Sequence, residues 1–216
     1  MKKLVIAAAA AAVLGGCVSA PSKPVESKTA MRGKQVVLAH YAMPDFAAMT
    51  PGKAAFGLFG AAAMIHAGNA IVQADNIPDP ALVIGQHLAN DLAAKEGVSI
   101  VSGPTPMAMS DQPATLLKTY AGADIILDVK TLSWMYSYYP TKWQTYHVFY
   151  VARVRLLDGH TGSLIAQQLC KVDPTDPKNP PSFDQLQADH GAMLKDFLGK
   201  AADTCVNTVE QQALRV

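Results

Sequence analysis

Two stretches decide the fold: GADIILDVKTLSWMYSYYP at residues 122–140, and VFYVARVRLLDGHTGSLIAQQLCK at residues 148–171. From Ile125 the first alternates, with Ile125, Leu127 and Val129 on one face and Asp128 and Lys130 on the other, the period of two of a strand covered on one side. Pro140-Thr141-Lys142 makes a turn. Beyond it Val148, Tyr150, Ala152, Val154 and Leu156 alternate with Arg153 and Arg155. Asp158 to Gly162, DGHTG, is a second turn, and SLIAQQLCK follows as a third consecutive strand. Three antiparallel strands with one oily and one charged face are the expectation.

Carrying the same parity along the hairpin places Trp134, Tyr136 and Tyr138 on the face of Asp128 and Lys130, with Phe149 beside Arg153 on the paired strand. The segment from Trp134 to Tyr150, which also holds Tyr139, Trp143, Tyr146 and Tyr150, carries more than half of the chain's aromatic residues. An aromatic stripe continuing a charged face suits a docking surface, because Tyr and Trp cover much area at little entropic cost. Trp134, Tyr136, Tyr138, Trp143 and Phe149 are therefore the candidate partner-binding residues. The competing account is that cross-strand aromatic pairs stabilise a long hairpin, or that a helix covers them.

Upstream, QVVLAHY at residues 35–41 is a first strand. Ala54 to Gln73 contains no Asp, Glu, Lys or Arg and is rich in Ala and Gly. It reads as a helix buried in the domain or covered by a partner. Its length and small residues leave two alternatives, self-association and insertion into a membrane. At residues 79–97, Asp79 as cap, Pro80 in the first turn and Gly97 as stop delimit a helix with Leu82, Leu88 and Leu92 on one side. A second strand follows over residues 98–102 and a short helix over residues 113–121.

Downstream of a Pro-rich loop, Ser182 with Gln185 forms a capping-box pattern for a long last helix. Its stripe of Leu186, Leu194, Phe197, Leu198, Ala201, Cys205 and Val209 faces the sheet. The order predicts an α/β domain: a mixed sheet with a C-terminal three-stranded antiparallel meander and helices packed on it. Cys205 on the buried stripe can reach Cys170 on the third meander strand, which favours a disulfide; two buried free thiols are the alternative. Closing that loop is worth about 3 to 4 kcal/mol in the chain-entropy model.

The N-terminus places the protein. Met1-Lys2-Lys3, an apolar run from Leu4 to Leu14 and the small pair Gly15-Gly16 read as a signal peptide over residues 1–16. The string Leu14-Gly15-Gly16-Cys17 resembles the lipobox of bacterial lipoproteins, an implied site of acylation by palmitate-type chains at Cys17. Several acyl chains hold a protein on a membrane without a transmembrane helix. Within that resemblance Val18 is not the aspartate that commonly marks inner-membrane retention, which implies the periplasmic face of the outer membrane. Residues 17–34 then form the lipidated cysteine and a short tether, and residues 35–216 the periplasmic domain.

The strands carry a further resemblance. GADIILDVKTLSW with VARVRLLDGHTGSLIAQ is similar to the Gly-Ala-Asp strand and Asp-turn-Thr-Gly hairpin of periplasmic lipoproteins with a fold like the amino-terminal domain of TolB. That group includes the curli-secretion lipoprotein and lipoprotein activators of penicillin-binding proteins. The resemblance implies a TolB-like domain and a non-enzymatic role with an envelope partner. The apolar segment at residues 54–73 departs from a penicillin-binding-protein activator.

The formal net charge is +1 and no Lys/Arg-rich run occurs, which argues against nucleic acid as a partner. The six histidines, His40, His66, His87, His147, His160 and His190, show no metal-ligand spacing. Asp158 and His160 belong to a tight turn, and no phosphate-binding or nucleophile-elbow motif occurs. No cofactor and no catalytic residue is expected. The expected function is a lipid-anchored, non-enzymatic binding or assembly module of the cell envelope, with an envelope protein or a second copy as partner. Two alternatives stand beside it: an oligomeric secretion or pore-type subunit using residues 54–73, and, more remotely, an envelope hydrolase.

Overall fold

The computed structural model describes residues 21–27 and 31–216. Along the chain come β1 (Gln35–Leu38), β2 (Ala47–Ala48), α1 (Pro51–Ala54), α2 (Gly57–Ala74), α3 (Pro80–Glu96), β3 (Ser99–Ile100) and α4 (Pro113–Thr119). The hairpin strands β4 (Ile125–Tyr139) and β5 (Lys142–Asp158), then β6 (Leu164–Val172) and α5 (Phe183–Val209), complete it, with a final π-helical turn at Glu210–Leu214. The strands form one mixed six-stranded sheet in the order β3-β1-β4-β5-β6, with β2 also pairing β4. β1 is parallel to β3 and β4, and β4, β5 and β6 form the expected antiparallel meander.

Local chemistry sets the helix ends. The Asp79 carboxylate accepts from Ala81 N at 2.9 Å, Pro80 opens α3, and Gly97 closes it at φ 67°, a left-handed value glycine adopts without a Cβ penalty. Ser182 Oγ accepts from Gln185 N at 3.2 Å while Gln185 Oε1 accepts from Ser182 N at 2.8 Å, closing the capping box of α5. α5 is interrupted at residues 188–191, where Asp189, His190 and Gly191 all take left-handed φ values. The break re-aims the helix, so that Leu186 before it and Leu194 after it are both buried.

One sheet face packs Ile125, Leu127, Val129, Val148, Tyr150, Ala152, Val154 and Leu156 against α3 and α5. Ile84, Leu88 and Leu92 supply the contact from α3, and Leu198, Ala201, Cys205 and Val209 from α5. A smaller cluster on the other face joins Val37, Ala39, Ile126 and Leu157 to Leu116 of α4 and Tyr120. Cys170 of β6 and Cys205 of α5 form a disulfide with their Cα atoms 5.6 Å apart.

Four expectations change. Leu82 is exposed, because the covered stripe of α3 runs through Ala81, Ile84, Leu88 and Leu92 and Leu82 falls off it. α2 is buried on one side only: Gly60, Met64, Gly68 and Val72 are covered, with Ala67 and Ile71 half-buried beside them. No helix among the described residues is long and apolar enough to cross a membrane. The tether reading also gives way over its described part: Lys23 pairs antiparallel with Gln167 of β6, Val25 N donates to Ala213 O, and Val25 and Met31 are buried. That segment covers the otherwise open β6 edge. The signal peptide and Cys17 lie outside the described residues.

Candidate partner-binding site

The parity of β4 changes within the strand. Thr131 pairs with Ala152, but Ser133 pairs with Val151, so Leu132 is an extra residue and the ladder carries a β-bulge. Each side chain beyond it moves to the opposite face. Trp134 and Tyr136 therefore join Leu127 and Val129 in the core, both essentially without solvent exposure, and leave the face of Asp128 and Lys130. Trp134 Nε1 donates to Pro44 O at 3.2 Å. The Tyr136 ring meets Phe46, Tyr146 and Phe183 edge-on, and its buried hydroxyl has no hydrogen-bond partner among the described residues. Burial raises the Tyr136 pKa well above the ordinary phenol range. Tyr138 is half-buried against the same core.

Of the five aromatic candidates, Phe149 stays on the second face beside the charged residues, and Trp143 stands exposed at the hairpin tip, its Nε1 donating to Pro140 O at 2.6 Å. The bulge brings other residues to Phe149. On this face Met135, Ser137 and Tyr139 of β4 lie beside His147, Phe149 and Val151 of β5 and Leu169 of β6, all half-exposed. The Tyr139 ring stacks on His147 at 4.3 Å, and His147 meets Phe149 at 4.0 Å. His147 Nδ1 lies 2.9 Å from Asp173 Oδ2, which fixes the imidazole in the row.

Below this half-open region lies a paired charge cluster. Asp128 is fully buried; its carboxylate accepts from Tyr41 Oη at 2.6 Å, Arg155 Nε at 2.6 Å and Arg153 Nη2 at 3.2 Å. Arg153 also donates to Asp111 Oδ2 at 2.7 Å, and Lys130 Nζ lies 3.3 Å from the same oxygen. Burial raises the Asp111 carboxyl, but Arg153 and Lys130 outweigh it and hold its pKa below the usual carboxylate range. Burial, then the Asp128 carboxylate, pushes Tyr41 far up, so it remains a donor. These groups pair with one another, with buried Arg153 Nε left without a hydrogen-bond partner among the described residues, and they join the loop carrying Asp111 to the sheet.

A cavity of about 220 Å³ opens at the C-terminal ends of β1 and β3, lined by His40, Tyr41, Asp79, Leu82, Ile100 and Thr131 among others. Such a place in an open α/β sheet commonly receives ligands. Here Asp79 is spent on the α3 cap and on Thr131 Oγ1 at 2.5 Å, and Thr131 lies 3.0 Å from Tyr150 Oη. Asp158 Oδ1 accepts from His160 N and Thr161 N, so it acts in its turn. Among the described residues no group of three His, Cys, Asp or Glu is placed to hold a metal ion.

Two features escape sequence reading. The half-open row of Met135, His147 and Phe149 depends on the bulge, which no residue in LSW announces. The exposure of Phe56, Leu58 and Phe59 at the start of α2 had one available signal, an apolar segment with no charged side to turn to water.

No protein-family model matches the chain, and no curated protein matches it. Solved structures similar to it include the hypothetical protein CT253 of Chlamydia trachomatis, at TM-score 0.42 and 10% identity over 84% of this chain and 97% of that one. Lipoprotein GNA1162 of Neisseria meningitidis matches at TM-score 0.35 and 12% identity, over 82% and 99% of the two chains. The LpoB C-terminal domain of Salmonella enterica matches at TM-score 0.32 and 13% identity, over 66% and 84%. These neighbours include bacterial lipoproteins, and likeness at this level assigns neither a family nor an activity to this chain.

Proposed function

We propose that this chain is a periplasmic lipoprotein, held on the outer membrane through Cys17, that works as a non-enzymatic binding or assembly module. One observation carries the binding role. Beyond the charge cluster the second sheet face presents Met135, Phe149, Val151 and Leu169 half-exposed, with Tyr139, His147 and Phe149 in ring contact. An antiparallel sheet tolerates one solvated face when that face is polar. This one alternates rings and aliphatic groups with small hydroxyls, a surface suited to the flat side of a protein partner. The lipobox-like string and the documented pairing of the acidic and basic groups support the same reading.

A photo-crosslinking residue at position 149 of the full-length protein, expressed in cells, tests it. The expected result is one discrete crosslinked envelope protein, lost when Met135→Ser and Val151→Ser are combined with an unchanged circular dichroism spectrum. Absence of any crosslinked species overturns the binding role, and a crosslink to a second copy of the chain moves the oligomeric secretion-subunit reading to first place.

A further inference from the structure

The hairpin tip and the start of α2 form a second apolar surface, separate from the sheet face. Leu58 is 90% exposed, Phe59 88%, Phe56 70% and Trp143 67%. They share one end of the sheet. β2 runs parallel to β4 with Ala48 opposite Tyr136, so the chain from Thr50 through Phe59 continues past Tyr136 toward the tip, where Tyr139 pairs with Lys142. Thr50, just ahead of α1, lines one shallow hollow with Trp143, Gln144, Tyr146 and Phe183, which sets the start of α1 beside the tip.

The N-terminal chain leaves toward the same end. Lys23 pairs antiparallel with Gln167, Gln167 pairs with Arg155, and Arg155 with Asp128. The segment at Lys23 thus runs opposite to β4, and traced back from Lys23 to Pro21 it heads for the tip. Lys23 lies six residue steps from Cys17, which span about 20 Å at most when fully extended. From Asp128, level with Lys23, to Tyr139 the strand rises about 35 Å. The tip therefore reaches farther in that direction than an anchor at Cys17 can.

We propose that this tip is a membrane-contact surface, with Phe56, Leu58, Phe59 and Trp143 seated in the interfacial layer of the bilayer that receives the acyl chains. The proposal rests on the lipid-anchor reading for its orientation, and on the exposed residues for its chemistry. Apolar side chains with a tryptophan, flanked by Lys53 and Lys142, match the boundary between headgroups and acyl chains, where Trp is favoured and lysine ammonium groups stay with the headgroups. A short attachment that pins the β6 edge leaves the domain little freedom to lift that end from the lipid.

The test uses the full mature protein reconstituted in vesicles of phosphatidylethanolamine and phosphatidylglycerol with dibrominated acyl chains. Trp143 emission is obtained as the difference between the wild type and Trp143→Phe, with buried Trp134 as the internal reference. Mass spectrometry of the same sample reports acylation at Cys17. The expected result is quenching of the Trp143 component by half or more, reduced at least threefold in Leu58→Asp with Phe59→Asp. An acylated protein whose Trp143 is not quenched overturns the surface and leaves the anchor standing. Quenching without acylation keeps the surface and removes the anchor, and neither signal overturns both. A defined oligomer abolished by the same Asp pair, without bromolipid quenching, assigns the patch to a second copy and overturns the proposal.

Discussion

The Trp134 indole meets the Phe46 ring edge-on, centroids 5.1 Å apart and planes at 83°, on the covered face of the sheet. The contact exists because Leu132 is an extra residue in β4. Deleting Leu132 leaves Thr131 opposite Ala152 and Ser133 opposite Val151, so plain alternation then keeps Trp134 and Tyr136 on the covered face. Cooperative unfolding and an unshifted Trp emission are expected, and a deletion variant with red-shifted emission and no cooperative melt contradicts the register.

Asp128→Asn keeps the shape and removes the charge that Arg153, Arg155 and Tyr41 share. Breaking a buried pair while its partners stay costs about 3 to 5 kcal/mol. Urea unfolding of the variant should show a loss in that range. A loss below about 1 kcal/mol would place the cluster with exposed ion pairs instead.

Cys170→Ser with Cys205→Ser removes the cross-link between β6 and α5. Stability should fall by about 3 to 4 kcal/mol under oxidising conditions. Reductant should bring the wild type down to the variant and leave the variant unchanged; equal stability with and without reductant is the contrary result.

Gly68 of α2 lies so close to Phe46 that a Cβ there would overlap the Phe46 carbonyl oxygen. Because the obstacle is backbone, Gly68→Ala should cost about 1 to 3 kcal/mol by overpacking. Gly199 in α5 has open space where its Cβ would stand, and Gly199→Ala should stabilise by about 0.5 to 1 kcal/mol. Thermal melts of the two variants should move in opposite directions.

Burial raises the Asp79 carboxyl pKa, and its bonds to Thr131 and Ala81 only partly offset this. Its folded pKa lies above its unfolded value of about 3.9, so the associated stability is complete below pH 3.9 and is lost as pH rises through the folded pKa. Asp79→Asn caps α3 without ionising. The variant should match the wild type at about pH 3 and gain on it progressively toward neutrality. A difference in Tm that does not change with pH refutes the assignment.

Helix ends and strand identities were legible because they depend on neighbours a few residues away. Asp79, Pro80 and Gly97 bound α3, Ser182 and Gln185 open α5, and the alternation from Val148 to Leu156 marks β5 and its covered face. The pairing of Cys170 with Cys205 followed from a stripe facing a strand. The candidate site was legible only in part. Phe149 and Trp143 keep solvent contact, whereas Trp134 and Tyr136 lie on the face opposite to the one simple parity gives, since a bulge is a property of two strands in register and leaves no mark on one.

By itself, then, the sequence determined which segments are helix or strand, the antiparallel meander, the buried stripe of α5 and the lipobox-like N-terminus, all of which rest on local periodicity or short motifs. Tertiary structure decided the faces and the neighbours. It placed Trp134 and Tyr136 inside, left one side of α2 in water because a single stripe through Gly60, Met64, Gly68 and Val72 packs, and docked Lys23 and Val25 along β6. The reason is physical: burial and register are set by contacts between residues far apart in the chain, and no local pattern records which of two apolar surfaces will find the partner that covers it.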